Sequence, residues 1–273
     1  MAVGRRVLPG FGLGLGYTVT YLSLLVLIPL AAVAAKSADL SPAAFAAAVW
    51  TPRAVAAYQL TFGAALASAA INAVLGLVVA WTLVRYDFFG RRIVDALVDV
   101  PFALPTAVAG LVYASLYVAD GWYGQFLVPL GVEVAYSRLG IVLVLVFTGF
   151  PFVVRSVQPV LEDLDAEVEE AAAVLGASRW QAFRRVLVPT LVPPVLTGFT
   201  LAFARGIGEY GSVVFIATNK PMQAEIAPVL IVASLEANQY QEAAAVAVVL
   251  LGVSFGLLAA INLLDRWGRR HGP

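Results

Sequence analysis

A helix needs about 20 consecutive apolar residues to cross a bilayer. This chain of 273 residues offers six such stretches, at about 13–35, 58–84, 100–118, 139–158, 191–217 and 241–264. Little sequence is left between them for a soluble domain. Hydrophobic residues make up 61% and charged residues 12%, against about 45–50% and about 25% in soluble domains. The pattern predicts an all-α integral membrane protein with six transmembrane helices. The first stretch follows Arg5 and Arg6, as the apolar part of a signal peptide would. Its apolar run from Val7 to Ala35 is 29 residues long, however, and a signal h-region has only about 7–15. It reads as an uncleaved first span.

Cationic residues give the expected orientation, because they concentrate on the cytoplasmic side of membrane proteins. With six spans both termini share one side. That side collects Arg5, Arg6, Arg85, Arg91, Arg92, Arg155, Arg179, Arg184, Arg185, Arg266, Arg269 and Arg270. Lys36, Arg53, Arg138 and Lys220 fall on the other, and Arg205 falls inside a span. Both termini are therefore expected in the cytoplasm. On the external side, Ser41-Pro42 and Thr51-Pro52 read as N-caps followed by proline at the first helical position. They predict a short surface helix and then a second span that starts outside the bilayer.

A polar island, LEDLDAEVEEAAAVLGASRWQAFRRVLVP at 161–189, interrupts this pattern. Leu161, Leu164, Val168, Ala172 and Leu175 make one apolar stripe at helical spacing, opposite a face of Asp and Glu. Gly176 allows the left-handed conformation that ends a helix. Ser178 and Gln181 then have capping-box spacing. The second helix would present Trp180, Phe183 and Leu187 as an apolar ridge, carry Arg184 and Arg185 near its end, and stop at Pro189. A solvated connector is one reading of this segment. An exposed Trp and Phe on so short a helix also fit a knob for a groove on a soluble partner.

Glu170-Ala171-Ala172, Gly176 and the run Val186 to Pro189 resemble the EAA motif of bacterial binding-protein-dependent ABC importer permeases. Valine stands at the motif's isoleucine and leucine positions, an apolar-for-apolar change. The segments at 98–117, 148–186 and 198–219 are similar to the oxyanion branch of that family, most like its sulfate/thiosulfate permeases. The similarity runs from about 58 to 264. The resemblance implies the type I importer permease architecture: residues 1–57 as cytoplasmic N-terminus, first span and periplasmic connector, 58–264 as permease core and 265–273 as cytoplasmic tail. A coupling loop at 159–190 would dock on a cytoplasmic ABC ATPase dimer through Glu170, Ala171, Ala172, Gly176, Ser178, Arg179, Trp180, Phe183 and Pro189. The other implied partners are a second permease subunit, similar or identical, and a periplasmic sulfate-binding protein. Lipid surrounds the assembly, and no nucleic acid is expected. ATP and Mg would be bound by the ATPase, with no cofactor on this chain. Molybdate or tungstate is the alternative cargo.

Within the spans, Arg205 and Glu209 stand four residues apart, the spacing of an i,i+4 ion pair. Intramembrane charges are costly and usually face a bundle interior or a pore. Arg205 could line an anion path, since a guanidinium suits a tetrahedral dianion. The pair could equally be a self-satisfied brace for the fifth span. Thr106 and Thr148 could offer hydroxyls to an anion, or bond to their own helices. Asn72 is expected to hydrogen-bond between helices. Pro101, Pro105 and Pro151 can kink their spans.

Other classes fit less well. No cysteine, no histidine other than His271 and no intramembrane carboxylate cluster argue against an intramembrane enzyme or a metal site. The absence of G-x-x-x-x-G-K-[ST] argues against ATP binding by a P-loop. A secondary transporter would leave the polar island unexplained.

Overall fold

The computed structural model describes residues 10–271 except 165–169, 171 and 173, with backbone alone over 264–271. Every regular element among the described residues is helical. Those of eight residues or more are, in chain order, α1 (Phe11–Ala38), α2 (Pro42–Val49), α3 (Pro52–Arg85), α4 (Arg91–Val98), α5 (Thr106–Tyr117), α6 (Arg138–Glu162), α7 (Arg179–Ile207), α8 (Ala227–Glu236) and α9 (Tyr240–His271). Helices α1, α3, α6, α7 and α9 are long and apolar enough to cross a membrane.

The expected helix starts form. Ser41 Oγ accepts the Ala44 N–H at 3.2 Å and opens α2, and Thr51 Oγ1 accepts the Ala54 N–H at 3.1 Å and opens α3. The expected third span is divided. Proline drives the preceding residue out of the helical region, and Leu104 is extended at ψ 131° ahead of Pro105. The chain therefore makes one turn at Val100–Ala103, breaks, and restarts as α5. Pro101 sits harmlessly in the first turn of the short piece. The expected fifth span, 191–217, is displaced toward the N-terminus. Helix α7 begins at Arg179 and ends at Ile207, where Gly208 caps it, and Val213–Ile216 is a separate turn. Helix α8 lies in a connector that the hydropathy pattern leaves blank. Its first N–H, from Ala227, is held by Thr61 Oγ1 of α3 at 2.8 Å.

Helices α3, α6 and α7 form the centre of the bundle. Arg53 of α3 pairs with Glu225, and Arg138 of α6 donates to the carbonyls of Gln223 and Met222. The starts of α3 and α6 are thus at one end of the bundle. At the other end Leu83, Val157, Leu161 and Leu191 bury together, so α7 runs antiparallel to both. Lipid is as apolar as leucine, so close backbone approach matters more here than hydrophobic burial. Glycine provides it. A Cβ on Gly198 of α7 would lie 2.6 Å from Val153 Cα of α6, and one on Gly76 of α3 would lie 2.7 Å from the Val153 side chain. Asn72 departs from expectation. It is fully buried against Gly149, and its amide has no hydrogen-bond partner among the described residues.

Candidate functional site

The polar island divides at Gly176. That residue adopts φ +82°, and the N–H of Ala177 bonds to the carbonyl of Ala172 at 3.0 Å. This six-to-one bond around a left-handed glycine is a Schellman ending. It turns the chain sharply from the Glu170–Ala172 segment into α7. Ser178 then closes a full capping box. Its Oγ accepts the Gln181 N–H at 3.3 Å, and the Gln181 side chain accepts the Ser178 N–H at 2.8 Å. A Cβ at Gly176 would meet open space, so the requirement there is conformational, not steric. Forcing an L-residue into that conformation costs about 1–2 kcal/mol. Gly176→Ala should therefore lower transport, whereas Gly176→Asn, which tolerates the left-handed region, should recover much of it; uptake in membrane vesicles compares the two.

The stripe and the ridge differ from the sequence reading. Leu161 belongs to α6, where it is buried, and the chain bends at Asp163 and Leu164 before the island's own helix. Val168 and Ala171 lie outside the described residues. Leu187 is buried at 3% exposure. Phe183 is half-buried, stacking on Trp180 at 5.6 Å and meeting Trp81 of α3 edge-on at 6.1 Å. Arg85 lies 5.4 Å over the Trp81 ring. Phe183 thus ties the loop to the bundle. The exposed apolar surface is Val174 and Leu175, each 87% exposed, with Trp180 at 67%. Glu170, Arg179, Arg184 and Arg185 are exposed around it.

Pro189 does not stop the second helix. The segment Phe183–Leu187 is a π turn, in which the N–H of Val188 reaches back to the carbonyl of Phe183. Proline needs no N–H bond, and its ring demands room at the fourth preceding carbonyl. The wider π turn precedes it and lets the helix continue. Arg179 to Ile207 is consequently one continuous helix, with Pro193 and Pro194 inside it.

Arg205 and Glu209 pair as the spacing predicts, though Glu209 lies beyond the end of α7. Its carboxylate is 1% exposed and fully used. Oε2 takes the Arg205 guanidinium, and Oε1 accepts both the N–H and the hydroxyl of Ser212 at 2.9 Å. A buried charge needs this complete pairing. The arrangement pins the loop 208–212 onto the start of α5. A Cβ on Gly211 would lie 2.3 Å from Thr106 Oγ1, and one on Gly110 would lie 2.2 Å from the Ser212 carbonyl. Thr106 therefore joins the ion-pair loop. Thr148 is buried in α6, where its hydroxyl faces the carbonyl of Leu145 at 3.4 Å.

A second charge cluster has no counterpart in the sequence reading. Arg155 of α6 donates to Asp95 Oδ1 at 2.6 Å and to Asp99 at 2.9 and 2.7 Å. It ties α4 to α6 at the loop end of the bundle. Asp95 and Asp99, four apart beside Arg91 and Arg92, were its only linear trace. Among the described residues, no group of three or more His, Cys, Asp and Glu side chains could hold a metal.

Residues 72–269 match the family described as "Binding-protein-dependent transport system inner membrane component". The chain belongs to this family. Among curated relatives, this inner membrane component is 52% identical over 93% of its length to the "Sulfate transport system permease protein CysT" of Synechocystis, of which 89% is covered. It is 47% identical over 97% of its length to the protein of the same name from Escherichia coli, 96% of which is covered. Its fold matches that of a chain from a bacterial ABC transporter that imports alginate, with a TM-score of 0.77 at 15% identity, covering 94% of this chain and 93% of that one. A second match, TM-score 0.75 at 18% identity over 92% of each chain, comes from a bacterial alginate ABC transporter in complex with an alginate-loaded periplasmic protein. The chain is an all-α, membrane-embedded importer permease.

Proposed function

We propose that this permease carries sulfate or thiosulfate across the bacterial inner membrane, driven by a separate ATPase. The observation that carries the cargo is end-to-end identity of about half with permeases named for sulfate transport. In this reading both termini and the loop around Gly176 face the cytoplasm, in keeping with the arginines at that end. An ABC ATPase dimer binds ATP and Mg and docks on the surface formed by Val174, Leu175 and Trp180, with Glu170 and Arg179 at its rim. A periplasmic sulfate-binding protein delivers the anion at the opposite end. A second permease subunit, or a second copy of this chain, completes the pore. The neutral net charge of the chain provides no long-range pull on a dianion, so selection falls mainly to the delivering protein.

Arg205 is the pathway residue of this proposal. Its side chain is 36% exposed while its partner Glu209 is enclosed, so the guanidinium is the member of the pair that reaches open space. Thr106 stands beside the same loop. Thr148 is better explained as a packing residue of α6. The deciding experiment is uptake of labelled sulfate by the reconstituted complex, with thiosulfate, molybdate and tungstate as competitors. ATP-dependent sulfate uptake inhibited by thiosulfate is expected; molybdate uptake without sulfate uptake would replace the cargo.

A further inference from the structure

Helix α4 presents an apolar face that nothing among the described residues covers. Phe89, just before the helix, Ile93 and Leu97 recur every four residues and are 104%, 64% and 60% exposed. The other side of the helix is committed: Val98 is buried in the bundle, and Asp95 and Asp99 bond to Arg155. Arg92 is exposed at the edge of the apolar face, and Arg91 pairs with Asp87 at 2.9 Å.

Its depth decides what meets this face. Arg138 and Arg155 stand seventeen positions apart on α6, about 26 Å at 1.5 Å per residue. That is close to the roughly 30 Å of hydrocarbon in a bilayer. With Arg138 at one boundary, Arg155 and the helix it holds lie at the other. The docking surface of the polar loop is farther out. Val98 shares a buried cluster with Leu191 of α7, and Trp180 precedes Leu191 by eleven residues along the same helix, about 16 Å. A soluble subunit seated on Trp180 therefore stands beyond α4.

We propose that α4 is an interfacial helix, with Phe89, Ile93 and Leu97 sunk into the acyl–headgroup boundary of the bilayer. Arg92 reaches the phosphates of the lipid headgroups, the usual arrangement of a helix lying in the membrane plane. Through Arg155 the lipid surface is joined to the helix that leads into the polar loop.

The chain contains no cysteine, so Ile93→Cys, Leu97→Cys and Arg92→Cys can each carry one nitroxide label without background. The complete transporter is placed in vesicles of phosphatidylethanolamine and phosphatidylglycerol. Labels at 93 and 97 should collide more with dissolved oxygen than with an aqueous nickel chelate, and the ratio should invert at 92. Nickel access at 93 and 97 would place the face in water and overturn the proposal. Protection from both reagents would assign it to a protein partner and overturn it equally.

Discussion

Replacing Trp180 by alanine should release the ATPase subunit while leaving the permease in the membrane. Trp180 is 67% exposed and, among the described residues, its one ring neighbour is Phe183, so its loss removes little from the permease's own packing. At an interface, a central tryptophan typically contributes 2 kcal/mol or more, about 30-fold in affinity. Titrating purified ATPase onto the permease should show that weakening for Trp180→Ala and a much smaller one for Trp180→Phe, which keeps the stack. Uptake should fall in parallel. Full retention of the ATPase by the alanine variant would place the docking surface elsewhere.

The second large effect is expected at the buried ion pair. Glu209→Ala leaves the Arg205 guanidinium without its partner, and Ser212 loses the acceptor for both its N–H and its hydroxyl. Ser212 is fully enclosed, and leaving a buried donor unsatisfied costs about 1–3 kcal/mol, a large part of the 5–15 kcal/mol that holds a typical domain folded. Melting of the purified protein and its level in the membrane should both drop sharply. The double variant Arg205→Met, Glu209→Gln has no orphaned charge, keeps an amide oxygen to accept from Ser212, and should recover most of the stability. Sulfate uptake by that variant separates the two roles. If Arg205 lines the anion path, the stable double variant takes up sulfate with a raised KM; normal uptake would leave the pair as a brace alone.

Hydropathy made the membrane architecture legible because the hydrocarbon length is a fixed requirement, met by each apolar stretch independently. Local capping was equally legible: Ser41, Thr51, Ser178 and Gly176 act within four residues of themselves. Breaks inside apolar sequence were harder to see. Thr106 begins a helix because Pro105 forbids the preceding turn, in sequence that is apolar on both sides of the break, and α7 ends at Ile207 within Arg205 to Ser212, whose two charges and three glycines are embedded in the apolar stretch 191–217. Pro189 gave the opposite error, since a π turn absorbs what looks like a stop. The Arg155 cluster joins residues about sixty positions apart, and no spacing rule connects them. Phe183 read as exposed because its partner, Trp81, lies on a different helix.

The π turn before Pro189 makes α7 a lever. Trp180 and Arg205 are held on one shaft of about 38 Å, at 1.5 Å per residue. Pivoting such a shaft by about five degrees around one end moves the other by about 3 Å. A small tilt imposed at Trp180 and carried along the unbroken helix would reach the Arg205–Glu209 latch at a scale comparable to the diameter of a water molecule.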